Sequence, residues 1–537
     1  MTAEKAFGRR TLFAAAGLGL GLSISGCGDR STRSGASTPP PQASFVLAHA
    51  AAPTGLDPSR RTSQETSRVS TQVLEGLVAA DRSTGEPSPA LAESWVVADD
   101  RRSVTFTLRE DVTFHDGTEF DAAAVKANFD KWQAQAESPE AWARQCAFAT
   151  TFRHGSPDPR VSTCYAGVDV ADERTVVLRL TRPYTPLLSA LTQPAFAMSS
   201  PESIRAGTED QHLVGTGPFR LDSATPESVK LLAHEDYWGE LGSVGTLELR
   251  VVPDPEVRCA ALLTGEVDAY DLVGLDDFAP LAREGIQVLY RDPYAVSYLG
   301  LNQRVRAFQD LDVRRAVAAA IDRGSLAKSL YPNGTNVADQ FVPARFNVNG
   351  DNLQIPGYDP QHAKDLLKKS SYRGERLRFL YPRHTSRMYL QEPERVYAQI
   401  SAQLTRVGFR LQPVPMDWDE GYLDAVSTPD GDHAFSLLGW SGSFRDPDSF
   451  MAPLLSAPQA RLGFDDAGLM TAVNRAAGMP QGDSRTSAYK TLNDRVSEEM
   501  PAVPLSHPVS AVAVSSRVVN YPLTSTGFER FNDLELA

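Results

Sequence analysis

Residues 298–322 read YLGLNQRVRAFQDLDVRRAVAAAID and place a short apolar strand ahead of a helix. The run 298–302 has the composition of a buried strand, and the alanine-rich stretch 313–321 favours a strong helix. The alternation continues outward, since a helical pattern at 396–407 precedes a strand at 408–414. Upstream, an alternating strand at 103–109 precedes a helix at 122–135. Strands alternating with helices over such a length predict an α/β or α+β chain.

Composition excludes several classes of protein. The chain has 537 residues, of which 42% are hydrophobic and 22% charged, so it is long enough for several folded units. Collagen-like, disulfide-scaffold, disordered and multi-span membrane classes do not fit. The formal net charge of -14 argues against nucleic acid as a partner, because an acidic body repels phosphates.

The N-terminus has the features of an export signal. Residues 7–27 read FGRRTLFAAAGLGLGLSISGC, in which two arginines precede an apolar stretch that is short for a spanning helix. The twin arginines resemble a twin-arginine signal, and the sequence ISGC at residues 24–27 resembles a bacterial lipobox. We expect residues 1–26 to be the signal, Cys27 to carry the lipid, and 27–42 to form a solvated tether. The alternative is an uncleaved signal anchor with an incidental cysteine.

The other cysteines predict no metal site. In an exported chain Cys146 and Cys164 could close a disulfide around a Gly/Pro/Ser-rich loop. Cys259 lies in an apolar helical pattern, which favours a buried thiol. Metal-type Cys and His spacings are absent from the sequence, and no cofactor is expected.

Twelve short motifs follow one another along the chain. They are GLDP (55–58), LEGLV (74–78), PALAESW (89–95), FHDG (114–117), VGTGPF (214–219), DYWG (236–239), LTGEVDAYD (263–271), YLGLN (298–302), DVRRAVAAAID (312–322), YDPQHAKDLL (358–367), GWSGSFRDPDSF (439–450) and EMPAVPL (499–505). In this order they resemble the peptide-type, family 5 solute-binding proteins of bacterial ABC importers, the dipeptide- and oligopeptide-binding proteins.

The resemblance implies a two-lobed, periplasmic-binding-protein-like α/β clamshell with an extra subdomain. The first lobe would comprise residues 43–299, with the subdomain at about 81–204. The second lobe would comprise residues 300–501, and residues 502–537 would return to the first lobe. A ligand would bind in the cleft and shift the population of open and closed lobes.

The resemblance also implies ligand-binding residues. An arginine ahead of the second-lobe helix clamps the ligand carboxylate in dipeptide-binding relatives, and Arg387 falls at this position, with Arg383 as its nearest competitor. The alternative is that Arg387 is a solvated loop charge. An aspartate that holds the ligand ammonium is replaced here by Ser443, with Arg445 nearby. A hydroxyl cannot offset the desolvation of an ammonium as a carboxylate does.

Three kinds of ligand remain open. They are a peptide whose amine pairs with Asp446 or Asp448, a blocked peptide, and a different anionic solute. Asp446 could instead order its loop, since Asp-Pro is a turn signal. Trp440 could form a wall of the cleft or pack the end of a strand. Asn302 could reach the cleft or belong to the hinge or the core.

The resemblance implies a monomeric lipoprotein on the outer face of the cytoplasmic membrane. It would capture a peptide or similar solute and deliver it to an ABC permease, without catalysis. A ligand-sensing receptor of the same fold is one alternative. A secreted hydrolase is another, but no triad, paired-carboxylate or metal motif supports it.

Overall fold

The computed structural model describes residues 43–60, 63–144, 146–152, 163–428 and 431–537. They belong to one compact unit that spans Pro41–Ala537. The export signal, Cys27 and the tether lie outside the described residues, so their predicted roles stay predictions.

Strands and helices alternate through the described residues, as the sequence pattern predicts. The strands are β1 Ala43–His49, β2 Glu75–Gly76, β3 Val78–Ala80, β4 Pro87–Pro89, β5 Ala92–Val97, β6 Ser103–Leu108, β7 Tyr165–Asp172, β8 Thr175–Leu180, β9 Ala197–Met198, β10 Phe219–Ala224, β11 Ser228–Ala233, β12 Val244–Val251, β13 Ala269–Asp271, β14 Gln287–Arg291, β15 Ala295–Leu301, β16 Asn336–Val337, β17 Arg376–Arg383, β18 Arg410–Asp417, β19 Phe435–Ser441, β20 Ala502–His507, β21 Ser510–Val514, β22 Val518–Asn520 and β23 Glu535–Leu536. The helices are α1 Gln64–Val73, α2 Ala122–Ala136, α3 Ala147–Phe152, α4 Leu187–Ala190, α5 Pro201–Ala206, α6 Pro255–Leu263, α7 Phe278–Arg283, α8 Arg306–Gln309, α9 Leu311–Ala320, α10 Arg323–Leu330, α11 Pro360–Lys369, α12 Pro393–Val407, α13 Tyr422–Ser427, α14 Asp448–Leu455, α15 Ala467–Gly478 and α16 Asp483–Glu499.

The first lobe is built on a seven-stranded sheet in the order β10-β11-β12-β1-β13-β21-β14. Strand β1 runs parallel to β12 and β13, whereas β21 runs antiparallel to β13 and β14. A four-stranded antiparallel sheet, β5-β6-β8-β7, packs with α2 over its own aromatic core. This subdomain core includes Phe106, Phe129 and Trp132, all of which are buried.

The second lobe is built on a six-stranded sheet in the order β16-β20-β15-β19-β17-β18. Every residue of β15 is buried, because the strand lies between β19 and β20 and has core packed on it. Alanines of α9 and the apolar side of α12 belong to one core cluster with Leu299 and Leu301. Each of the two large sheets, with its helices, forms one α/β lobe, and two such lobes are the architecture that the sequence motifs imply.

The chain changes sheets at positions slightly different from the predicted boundaries. The predicted first lobe ends at residue 299, but β15 lies wholly in the second sheet, so the first crossing falls at 292–294. The return was predicted at residue 502, but β20 also pairs in the second sheet. The second crossing therefore falls at 508–509. Strand pairing between distant segments decides both positions, and a local pattern does not show it.

Three of the sequence motifs meet at the buried carboxylate of Glu75, which belongs to LEGLV. Its oxygens accept hydrogen bonds from Thr216 Oγ1 at 2.9 Å, Tyr237 Oη at 2.8 Å and Trp238 Nε1 at 2.7 Å. The first donor comes from VGTGPF and the other two from DYWG. These motifs therefore act as scaffold, since a buried carboxylate is stable only when its oxygens are hydrogen-bonded.

Four buried charges join distant segments of the first lobe. Arg291, at the end of β14, contacts Asp271 at 2.6 Å and Glu529 at 2.7 Å. Arg68 of α1 pairs with the same Asp271 and lies 4.0 Å from Glu529. All four side chains are almost fully shielded from solvent. The arginines hold the pKa of Asp271 below its usual value, although burial alone would raise it.

We predict that Arg291→Ala lowers the free energy of unfolding by about 3–5 kcal/mol, because it leaves two carboxylates buried without this partner. Urea unfolding followed by circular dichroism measures the change. The control is Arg283→Ala, which removes an exposed arginine of the same lobe. Equal midpoints for the two variants would show that the buried charges are not coupled to stability.

Candidate ligand-binding cleft

A cavity of about 330 Å³ lies between the two lobes. The first lobe contributes β2, β3 and the turn 81–85, together with 192–194 and 522–528. The second lobe contributes Arg345 and the segment 443–445, and the first crossing contributes Asp292 and Tyr294. The cavity is thus bounded by segments that are far apart in the sequence.

The turn between β3 and β4 meets the second lobe at the edge of this cavity. Asp81 Oδ1 accepts hydrogen bonds from the side chains and backbone of Ser83 and Thr84, which lower its pKa to about 2. Gly85 has φ +74° and faces the Arg445 side chain, so a larger residue would be strained there. Arg445 Nε lies 3.0 Å from Glu86 Oε1. This turn therefore contacts the predicted ligand residue Arg445.

Tyr294 links the first crossing to the segment 443–445. Its hydroxyl donates a hydrogen bond of 2.7 Å to the carbonyl of Phe444, and burial raises its pKa. The guanidinium of Arg345 lies 5.1 Å from the centre of the Tyr294 ring. Arg345 Nη1 also donates to Ser525 Oγ at 2.8 Å. These contacts fix the Arg345 side chain on the second-lobe wall of the cavity.

Arg387 is positioned by a tight turn in which its N–H and carbonyl pair with those of Leu390. Its Nη1 donates to Glu65 Oε1 at 2.8 Å, and its guanidinium stacks 4.5 Å from the ring of Trp418. Glu65 lies in the first turn of α1, so this ion pair joins the two lobes. The side chains are 11% and 9% exposed. Arg387 is therefore not a solvated loop charge in this structure, but its partner is the protein's own carboxylate.

The competing Arg383 lies closer to solvent. Its Nη2 is 2.8 Å from Asp417 Oδ1, and its side chain is 40% exposed. Both partners of this pair belong to neighbouring strands of the second lobe, β17 and β18. Arg383 therefore makes a contact within one lobe, whereas Arg387 reaches across to the other.

Four ion pairs between the lobes share one polarity: the second lobe supplies the arginine, and the first lobe or the crossing supplies the carboxylate. They are Arg345–Asp292, Arg387–Glu65, Arg395–Asp276 and Arg445–Glu86. The Arg387–Glu65 pair is the shielded one, whereas the others are partly exposed to solvent. Exposed pairs contribute little individually, so we expect the shielded pair to carry most of this attraction.

Two of the six predicted ligand residues line the cavity, namely Ser443 and Arg445. The backbone N–H of Ser443 donates to Ser449 Oγ at 2.9 Å, which fixes the loop. Trp440 Nε1 donates to the carbonyl of Ser449 at 2.7 Å, and its ring packs against a second-lobe core cluster. Trp440 thus packs within the second lobe, and its role as a wall of the cleft stays a prediction.

The side chains of Asp446 and Asn302 bind partners within the second lobe and do not line the cavity. Asp446 is buried and pairs with Arg485 at 2.7 Å, while its Oδ1 accepts from the N–H of Asp448. Burial raises its pKa and Arg485 opposes this effect. Asn302 Nδ2 donates to the carbonyls of Gly431 and His433. Both side chains order loops, because their hydrogen-bonding capacity is used locally.

Sequence reasoning missed Arg82, Arg345 and Arg530, which also line the cavity. These arginines lie in segments without a distinctive motif. Their common feature, a place on the wall between the lobes, depends on tertiary contacts. A positive residue in an exposed turn gives no local signal of that kind.

The two cysteines of the predicted disulfide, Cys146 and Cys164, are buried in the same core cluster of the subdomain. The structure gives Cys164 as a thiol, whose pKa burial raises to about 12. Pairing of Cys146 with Cys164 in the exported protein stays a prediction. The loop that it would enclose lies outside the described residues. Cys259 is a buried thiol, as predicted.

Two α/β lobes with a cavity between them define the class of two-lobed solute-binding proteins. The chain belongs to the bacterial extracellular solute-binding proteins, family 5, whose family model matches residues 86–461. A helix long and apolar enough to cross a membrane is not found in the described part of the chain.

Curated relatives cover almost the whole chain. Heme-binding protein A of Haemophilus influenzae is 28% identical over 510 residues, which is 91% of each chain. The dipeptide-binding protein of Escherichia coli is 27% identical over 518 residues, covering 92% of this chain and 94% of its own. A dipeptide-binding protein from Pseudoalteromonas sp. SM9913, solved with Met-Leu, superposes with a TM-score of 0.83. It is 22% identical and covers 92% of this chain and 100% of its own, which shows the shared fold.

We predict that Glu65→Gln favours separation of the lobes in the ligand-free protein, because it leaves the shielded Arg387 without a counter-charge. Small-angle X-ray scattering should show a larger radius of gyration. The matched control is Glu284→Gln, an exposed glutamate of the first lobe that is outside the cavity lining. Scattering curves that coincide for wild type and Glu65→Gln would contradict the prediction.

Proposed function

We propose that this protein is a lipid-anchored receptor outside the cytoplasm that captures a peptide or peptide-like solute and delivers it to the permease of an ABC importer. The observation that carries the proposal is the cavity between the lobes, which is bounded by segments of both. A solute there would touch both lobes only when they are together, so binding would favour the closed arrangement. Family membership supports transport, and the proteins named for dipeptides support a peptide.

Arg387 lies outside the lining of this cavity, but it faces the other lobe, and its contacts suggest how a peptide carboxylate that reached it would be recognised. The guanidinium is pre-oriented by Trp418 and already binds one carboxylate, that of Glu65. A ligand carboxylate would replace or share this partner, since a guanidinium can bind two oxygens side by side. Ligand binding at Arg387 would then compete with the ion pair between the lobes.

The proposed cycle requires no bond to be made or broken in the solute. Binding, closure, docking on the permease and release are sufficient for delivery. The solute would leave chemically unchanged, and the protein would act as a monomer.

We predict that a dipeptide such as Met-Leu binds to the purified protein and that Arg387→Ala weakens binding by about 2–5 kcal/mol, since a buried carboxylate would lose its partner. Isothermal titration calorimetry measures both affinities. Arg383→Ala is the control, because its ion pair stays within the second lobe. Unchanged affinity in Arg387→Ala would rule out the clamp. Failure of a broad dipeptide set to bind would argue against a peptide ligand.

We predict that Cys27→Ala moves the protein from the membrane fraction to the soluble fraction, because the sulfur that would carry the lipid is removed. Detergent-free fractionation and immunoblotting of the expressing cells measure the distribution. Ser25→Ala keeps a small residue before the cysteine and serves as the control. Membrane retention of Cys27→Ala would contradict lipid anchoring.

A further inference from the structure

The charged residues that line the cavity are predominantly arginines. The lining contains five arginines and two aspartates, whereas the whole chain has more acidic than basic residues, 67 against 53. Lysine, histidine and glutamate are absent from the described lining residues. Arg291 is neutralised by the buried Asp271 and Glu529, and Arg82 pairs with Asp533, so the positive charge that a solute could meet comes from Arg345, Arg445 and Arg530. Positive charge on a cavity wall concentrates anions.

Neither aspartate offers a strong site for a cationic group. The Asp81 carboxylate already accepts four hydrogen bonds from Ser83 and Thr84. Asp292 has a side chain that is 78% exposed and lies 3.9 Å from Arg345. Water screens such an exposed charge, so an ammonium group would gain little from it.

Two second-lobe arginines remain available to a solute. Arg345 is 35% exposed, and its only ion partner among the described residues is the solvated Asp292. Arg445 is 43% exposed, and its partner Glu86 is more exposed still. Both arginines lie beside Tyr294: the Arg345 guanidinium is 5.1 Å from the centre of its ring, and Arg445 directly follows Phe444, whose carbonyl accepts the Tyr294 hydroxyl. They therefore converge on one part of the cavity.

The first lobe adds a third guanidinium, that of Arg530. It lies 3.4 Å from Glu75, but Glu75 already accepts hydrogen bonds from three other side chains. Arg530 thus shares a carboxylate that is largely satisfied without it. A second anionic group within the cavity would be a better partner for Arg530, because charge-assisted hydrogen bonds strengthen in a desolvated site.

Building on the solute-binding function proposed above, we propose that the ligand is anionic and that Arg345 and Arg445 bind its carboxylate or phosphate group, with Arg530 on the opposite wall. Ser443 lines the same cavity, and its hydroxyl would be a further donor to this group. Closure would bring the acidic groups of the solute between guanidinium groups of both lobes. A solute with a net positive charge would be repelled by the same wall.

Isothermal titration calorimetry with matched probes tests the charge preference. The probes are Glu-Glu, Ala-Ala and Lys-Lys, with glucose 6-phosphate and glucose as a pair outside the peptide class. We expect Glu-Glu to bind about tenfold or more tightly than Ala-Ala, and Lys-Lys to bind more weakly than both. The double variant Arg345→Gln/Arg445→Gln should abolish the preference for Glu-Glu.

Arg378→Gln is the matched control. Arg378 is 36% exposed and pairs with Asp432, which is 73% exposed, much as Arg345 pairs with Asp292. It belongs to β17 and is outside the cavity lining. Circular dichroism of each variant verifies folding. A double variant that keeps the preference for Glu-Glu would overturn the assignment of these arginines.

The outcomes separate the charge preference from the peptide proposal. Equal binding of the three dipeptides overturns the anionic preference and leaves the peptide proposal standing. Binding of glucose 6-phosphate, without glucose or any dipeptide, supports the anionic preference and overturns the peptide proposal. Binding of none of the probes at millimolar concentration overturns both.

Discussion

The buried charges of Arg68, Asp271, Arg291 and Glu529 hold the first lobe together at the place where the chain leaves it. They join α1, β13, β14 and the C-terminal segment within one solvent-free cluster. Removing a single member would leave an uncompensated charge in the core, so the four residues are constrained as a set. Because Arg291 immediately precedes the first crossing, this cluster also fixes the position at which the chain passes from the first lobe to the second.

The cleft uses arginine in two different environments. Arg387 is shielded, stacked on Trp418 and satisfied by Glu65, which suits a contact that holds the lobes together. Arg345 and Arg445 are more exposed and have solvated partners, which suits a contact that exchanges its partner for a solute. The exposed arginines therefore exchange partners at low cost, whereas a ligand carboxylate that bound Arg387, as proposed above, would have to displace or share Glu65.

Sequence reasoning predicted the fold better than the site. The alternation of strands and helices and the ordered motifs indicated two α/β lobes, because each rests on local periodicity or short-range spacing. Ser443 and Arg445 do line the cavity. Asp446 and Asn302 instead bind Arg485 and the carbonyls near residue 431, and such partners are set by tertiary packing. Arg345 and Arg530 were missed for the same reason: segments distant in the sequence form the cavity wall together.

Strand β21, Ser510–Val514, lies between β13 and β14 in the first sheet. A ribosome therefore releases nearly the entire polypeptide before the sheet that begins at Ala43 receives the strand that joins β13 to β14. Until then β13 and β14 present unpaired edges, which are prone to pair with other chains. Folding of this lobe is consequently a late and long-range event, slow relative to that of a domain with local contacts. A message truncated near its end would yield a chain with an open sheet, and we expect such a chain to aggregate rather than to work partially.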